Sequence, residues 1–390
     1  MRLTRTGLAM LLPLLPLGAQ PTAPRLTLAE ELRLDAGTED FPTVTRVLVG
    51  PRGQIVVPIN ADMQLRVYDA SGKKLGVVGR RGSGPGEFQL FGPIGWASDT
   101  MWVSDVQQQR TTFVGPDLKV LRTVLWPSSP GAIGGAGERL YIAQPYAFLS
   151  DGSVLADGNL AVETERGRQL SGTVRVRLTP GGPAQVVRRY PRTDDSPFMM
   201  NVAGFGRWVP FTLPLVVTAR DDGRFAELSA PPLTRPEGTF DVAVFRASGD
   251  TLFARSYPFR GAPIPQAAKD SALASFVPSG GRVLEGPADL PQRFQAIARE
   301  RMPAWYTPAE AVLLGLDLTT WVGMRPMAEG RSYLVLDRRG EPVGSLVVPR
   351  TTRVRQASAT HVWVTETDAD GLSSVVRYRI SGLSCRPAAC

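Results

Sequence analysis

Four glycines fall within eight positions in the stretch Gly79 to Phe88, GRRGSGPGEF, and glycine-rich loops are among the few sequence features that can cradle a phosphate. A phosphate loop needs consecutive free N–H groups, a helix behind them and Lys-Ser or Lys-Thr at its end. Here Pro85 removes an N–H, Glu87 places a negative charge at the loop mouth, and strand-like residues follow. The stretch reads instead as a structural corner. Gly82, Gly84 and Gly86 can take positive φ, Pro85 fixes its own φ, Glu87 is expected to accept backbone N–H groups, and Phe88 returns the chain to an apolar interior.

His361 is the only histidine, so any site that needs two imidazoles is excluded, and its place at the start of a strand is that of a rim residue. Triad hydrolysis would have to recruit His361, yet no Gly-x-Ser-x-Gly elbow is present. No catalytic, cofactor-binding or metal-ligating residue is assigned. The two cysteines, Cys385 and Cys390, lie in the terminal CRPAAC; without a second ligand pair for a metal, they are expected to form a small disulfide.

That disulfide needs an oxidising compartment, and the other end of the chain points to one. Arg2 and Arg5, an apolar run from Gly7 to Leu17, and the small pair Gly18 and Ala19 form the pattern of an export signal over residues 1–19, with cleavage after Ala19. No cysteine follows, so no lipid anchor is expected, and the run is too short and proline-broken to span a bilayer. The expectation is a soluble monomer, secreted or periplasmic. Net charge falls from +8 to about +6 once Arg2 and Arg5 leave, and the arginines are scattered rather than interleaved with aromatics, which argues against a nucleic-acid partner.

Forty glycines and 34 prolines suit many short strands joined by tight turns better than helices. Gln54 to Val78 reads as three β-rich runs, QIVVP, QLRVYD and KLGVVG, and Thr100 to Val124 repeats them as TMWVSD, RTTFV and KVLRTV. The spacing of about 45 residues is that of four-stranded propeller blades. Val57 then answers to Val103, Tyr68 to Phe113 and Gly72 to Asp117. A third unit starts at Arg139 and is enlarged by an insertion near Glu163 to Leu170. A fourth runs from Leu215 to Arg255, a fifth from Thr319 to Val348, and a sixth holds HVWVTE and VVRYRI. The sixth unit lacks an outer strand, and Leu26 to Leu34 lacks a unit, so pairing this segment with Val375 to Ile380 would close the ring and remove two sheet edges. Between units four and five, Pro265 to Val277 and Leu290 to Met302 carry helix formers, with Phe294, Ile297, Ala298 and Met302 near i, i+3, i+4 spacing. A small helical excursion over about 265–302 is expected, as cover for apolar surface or as a lid. The expected fold is all-β: one six-bladed propeller over residues 26–382, closed by its N-terminal strand, with a tail at 383–390.

With these units in place the chain resembles the six-bladed β-propeller family of exported bacterial proteins related to NHL-repeat propellers. The resemblance is carried by VVGRRGSGPGEF at Val77 to Phe88, LRVYDASGKKLG at Leu65 to Gly76, MWVSD at Met101 to Asp105, TWVG at Thr320 to Gly323 and VWVTE at Val362 to Glu366. It implies a fold and an export habit, and pairs Asp105 with Arg110 as a structural link between strands. Related propellers include calcium-assisted lactonases, whose site needs carboxylates and an Asn facing the central channel. Asp62, Asp105, Glu366, Asn60, Asn159 and Asn201 are the available candidates. Trp102, Trp321 and Trp363 occupy equivalent repeat positions and are assigned to the core between blades, while Trp96, Trp208 and Trp305 fall outside that register and are candidates for exposed contacts. The functional expectation is a non-catalytic binding propeller that recognises a protein, peptide or glycan through its rim loops or central channel. The alternative is a divalent-cation-dependent, lactonase-like hydrolase or lyase.

Overall fold

The computed structural model describes residues 23–390 except 127–130, 133–136, 166, 181, 191–195, 204, 277–286, 288, 327–329 and 386–389. The export signal expected over residues 1–19 lies outside the described residues.

Six antiparallel sheets are arranged around one axis. Blade 1 comprises Leu48–Val49, Ile55–Ile59, Gln64–Tyr68 and Lys74–Val78. Blade 2 comprises Phe91–Ala97, Thr100–Asp105, Arg110–Val114 and Val120–Leu125. Blade 3 has Glu138–Phe148, Val154–Thr164, Gly167–Leu178 and Gln185–Tyr190, with the two-residue strand Gly131–Ala132 paired to the first of these. Blade 4 comprises Leu213–Ala219, Phe225–Ala230, Glu237–Phe245 and Thr251–Arg260. Blade 5 comprises Ala309–Leu314, Thr320–Met324, Arg331–Leu336 and Pro342–Val348. Blade 6 takes Thr352–Ala357, His361–Thr367 and Ser373–Ser381 from the end of the chain and Thr27–Leu34 from its beginning. Thr27 pairs with Ser381 and Leu34 with Val375, so the ring is closed by the strand the sequence left without a unit.

Burial follows position in the blade. In blade 2 the second strand is buried over Met101–Asp105, whereas Val120–Leu125 is exposed at every residue. Trp102 and Trp321 are fully buried and Trp363 nearly so. Trp102 packs edge-on to Phe148 of blade 3, ring centroids 5.1 Å apart, so these tryptophans fill the space between blades. The apparent insertion near Glu163 to Leu170 is a lengthening of two paired strands, with Thr164 opposite Gly167 at the hairpin tip. In the turn equivalent to that of Gly72, the positive φ falls on Leu118, one residue beyond Asp117.

Chain direction alternates within each blade, so the turns after the innermost strands lie at one end of the ring, and the connections to the next blade leave at the other. Three of those connections are elaborated. The hairpin Met199–Val202 and Phe205–Trp208 follows blade 3, and the helices Gln266–Ala274 and Leu290–Arg301 follow blade 4. Met200, Val202 and Val209 from the first share one apolar cluster with Leu273, Phe276, Leu290, Phe294 and Ala298 from the second. The helices therefore use the hairpin as their floor.

The third elaborated connection is the glycine corner between blades 1 and 2. Gly79 has φ +87°, and a Cβ there would come within 2.6 Å of the Phe88 ring, so only glycine fits. Phe88 is fully buried beside Phe91. The Glu87 carboxylate accepts the Gly84 N–H at 2.7 Å and the Arg80 Nε–H at 2.8 Å, and these bonds hold its pKa below the ordinary range. Arg110 donates to the carbonyls of Gly84 and Glu87. Asp105, opposite Arg110 in register, accepts backbone N–H groups of Gln89, Leu90, Gln107 and Gln108. Asp105→Ala leaves these four partly buried donors without their acceptor and is expected to cost about 1–3 kcal/mol. Glu87→Ala, on a more exposed side chain, is expected to lower the melting temperature by a smaller amount. Circular-dichroism melts check both, and an unchanged midpoint for Asp105→Ala would contradict this account of the corner.

Candidate ligand channel

Closing the ring sets the innermost strands around one axis, with those of blades 2 and 3, 4 and 5, 5 and 6, and 6 and 1 in contact. Side chains of all six blades then face a shared channel of about 550 Å³, among them Arg46, Ile94, Tyr146, Val217, Leu313, Val354 and Arg355. At the end carrying the inner turns, the channel opens into a wider cavity of about 1020 Å³. Turn residues of five blades line this mouth: Pro51 and Gly53, Ala97 and Ser98, Leu149 to Asp151, Asp221 and Asp222, and Leu316.

Channel and mouth meet at Val49, Trp96, Arg220, Asp221 and Leu316, which line both. Trp96 ends the inner strand of blade 2, and its backbone N–H donates to Asp221 Oδ2 of blade 4 at 2.9 Å, although blade 3 lies between them in sequence. A Cβ on Gly50 would come within 2.6 Å of the Trp96 ring, so that glycine lets the indole lie against blade 1. Trp96 is thus seated by blades 1 and 4 as well as its own.

The charges fall into two groups. In the first, each arginine has a carboxylate. Arg175 donates Nε and Nη2 to Asp157 at 2.7 and 2.8 Å, its guanidinium between the Tyr146 and Phe225 rings, 4.5 Å from each centroid. Arg177 pairs with Asp151, Arg220 with Asp221 and Asp222, and Arg224 with Asp222. In the second group there is none. Arg46 donates Nη1 to the Gly92 carbonyl at 2.6 Å; Arg355 donates Nε to Thr365 Oγ1 at 2.9 Å and Nη2 to the Val44 carbonyl at 3.0 Å. Neither reaches a carboxylate among the described residues, and burial lowers the pKa of both guanidinium groups. Trp96 Nε1 and Gln356 Oε1, also on wall residues, are buried without a hydrogen-bond partner.

The calcium candidates do not converge here. Asn60 and Asp62 sit exposed in the second turn of blade 1, Asp105 is committed to the corner, Asn159 is exposed, Asn201 lies in the hairpin, and Glu366 bonds Arg33 and Tyr378. None lines the channel, and among the described residues no group of three or more His, Cys, Asp or Glu is placed to hold a metal ion. His361 opens the second strand of blade 6 and does not line the channel, with Nε2 3.0 Å from Glu31 and Nδ1 2.9 Å from Thr360 Oγ1. Trp208 is exposed on the opposite end of the ring, and Trp305 is half-buried, bridging Leu233 and Pro263. Arg46, Arg355 and Asp221 were not singled out by spacing. The available signal was an arginine inside an innermost strand, as Arg355 is, or just before one, as Arg46 is. The terminal cysteines are joined, Cα atoms 5.6 Å apart, and the Cys390 carbonyl accepts the Arg338 N–H of blade 5.

No family model matches the chain, and no curated protein matches it. Among solved structures, a Bacteroides fragilis protein described as exported aligns over 91% of this chain and 95% of its own at 12% identity and a TM-score of 0.47. A member of the DUF4221 family from Bacteroides vulgatus aligns over 92% and 99% at 10% identity, TM-score 0.46. A catalytically inactive virginiamycin B lyase from Staphylococcus aureus, solved with quinupristin, aligns over 91% and 99% at 10% identity, TM-score 0.41. At such scores these likenesses carry no argument about activity. The six-bladed propeller rests on the sheets described above.

Burial pushes the Asp221 carboxyl above the ordinary aspartate range, against the opposing pull of Arg220 and the Trp96 N–H and with a further upward push from Asp222. A carboxyl that titrates higher in the folded state binds its proton more tightly there, so its contribution to stability is lost as pH rises through the raised value. Asp221→Asn keeps an acceptor for Trp96 and removes the ionisation. Its melting temperature is expected to match wild type near pH 4 and to equal or exceed it at pH 7. A variant that melts clearly lower at pH 7 would show that the ionised pair with Arg220 is the stabilising form.

Proposed function

We propose that the protein is an exported, non-catalytic binding propeller that recognises a protein, peptide or glycan at its central channel and the channel mouth. The observation that carries this reading is the mouth itself: turns from five blades build one concavity over a channel whose wall holds guanidinium, indole and amide groups. Ligand sites of this shape combine apolar walls with a few convergent polar groups. The hydroxyls of Ser98 and Ser150 line the mouth, but His361 of blade 6 bonds Glu31 on the outer strand of its own blade and Thr360 in the preceding turn, so neither hydroxyl has an imidazole base. Export is supported by the signal-like residues 1–19 and by the Cys385–Cys390 disulfide. Kinship with NHL-repeat propellers belongs to the same reading and is supported by the repeat residues.

Peptide and glycan arrays probed with the purified protein test it, using Trp96→Ala at the mouth and Trp208→Ala at the opposite end. Binding to a hit is expected to weaken by about tenfold or more in the first variant and to stay near wild type in the second. Dependence on Trp208 alone would move the site to the other end, and calcium-dependent turnover of lactones would contradict the non-catalytic assignment.

A further inference from the structure

The channel holds two cations that no carboxylate among the described residues neutralises. Arg175, Arg177, Arg220 and Arg224, near the channel and its mouth, each have a carboxylate within salt-bridge distance. Arg46 and Arg355 are treated differently. Each is bonded to one backbone carbonyl of a neighbouring blade, Arg355 also to a threonine hydroxyl, and most of the five N–H groups of each guanidinium have no acceptor among the described residues. The two belong to one place: the innermost strands of blades 1 and 6 touch, and Arg355 reaches the carbonyl of Val44, two residues from Arg46. A charge withdrawn from water without an anion costs free energy that an entering anion recovers. A planar guanidinium also matches the two oxygens of a carboxylate.

We infer that Arg46 and Arg355 grip the carboxylate of a ligand seated in the channel, and that this ligand is a peptide entering by its C-terminus. The inference rests on the channel being the binding site. A singly charged group suits the surroundings better than a phosphate, because Asp157 and Asp221 also line the channel and would oppose a second negative charge. A peptide suits the wall better than a sugar. Ile94, Val217, Leu313 and Val354 offer aliphatic surface rather than the dense polar rows that hydroxyls need. Four wall residues, Trp96, Tyr146, Arg175 and Gln356, each carry a buried polar atom without a hydrogen-bond partner among the described residues, so the wall offers both donors and an acceptor to a peptide backbone.

The experiment is calorimetry of the full chain with N-acetyl-trialanine as the free acid, the same peptide as its C-terminal amide, trigalacturonate and sulfate. The acid is expected to bind at least about tenfold more tightly than the amide. Arg46→Gln and Arg355→Gln are expected to abolish that preference in variants that circular dichroism shows to be folded, with partial recovery in Arg46→Lys. Should a glutamine variant fail to fold, the wild-type preference for acid over amide and the lysine variant decide the matter. Equal binding of acid and amide, lost in Trp96→Ala, would overturn the carboxylate grip while leaving the channel as the site. Arginine-dependent binding of trigalacturonate alone would overturn the peptide in favour of an acidic glycan, and sulfate binding as tightly as the acid would overturn specificity for a carboxylate. Binding of none of the four would overturn both the grip and the channel site.

Discussion

Everything in this molecule that can meet a ligand depends on one pairing, that of the strand Thr27–Leu34 with Ser373–Ser381. Open, the ring would expose the edges of two sheets and its inner strands would share no axis. Closed, it puts side chains from both ends of the chain into one blade, and the closure is reinforced along its length. Leu26 N–H donates to the Ser345 carbonyl of blade 5, and Ser345 N–H to that of Pro24. Gly344 has no side chain where Leu26 and Leu383 press against blade 5, so the first strand and the tail dock on the same outer edge. Glu31 faces His361, Arg377 and Arg379, while Arg33 bridges Glu30 and Glu366. These pairs are partly exposed and individually weak, but they lie along the seam and favour its register.

A ring of this kind converts backbone economy into a site. The inner strands are short of partners on their channel side, so their side chains must be apolar, satisfied by a neighbouring blade, or open to a ligand. The Trp96 N–H, accepted by Asp221 of blade 4, shows the second solution, while Arg175 on the third strand of blade 3 is paired within its own blade to Asp157. Among the described residues Arg46 and Arg355 hold only neutral acceptors, which staple the inner strands across blade boundaries without cancelling their charge. The same groups can therefore serve structure in the empty channel and recognition in the filled one. The Trp96 to Asp221 bond has a comparable double position, tying blade 2 to blade 4 at the neck between channel and mouth.

The blades were legible in the sequence because their determinants are local. Turn glycines and alternating β-branched residues mark each strand, and Trp102, Trp321 and Trp363 recur at one place in the repeat because every blade needs a large apolar group against its neighbour. The helix Leu290–Arg301 was legible for the same reason, through the spacing of Phe294 and Ala298; its floor, the hairpin beginning at Met199, was not, because two four-residue strands carry too little pattern. The channel was the least legible part. Asp105 had the residue type of a cation ligand and proved to be a hub for backbone N–H groups, while Arg46 looked like one more scattered arginine. Convergence on an axis is set by ring closure, and no spacing along the chain encodes it.

Closure is therefore the claim to test first. Thr27 Oγ1 and Ser381 Oγ lie 2.7 Å apart on opposed residues of the closing strands, close enough for a disulfide between cysteines placed there. Peptide mapping by mass spectrometry of the purified, oxidised double variant, Thr27→Cys with Ser381→Cys, reads the answer. The account predicts near-complete cross-linking of positions 27 and 381, with the native Cys385–Cys390 pair intact. Free thiols at both positions in folded protein would contradict the closed ring and, with it, the channel.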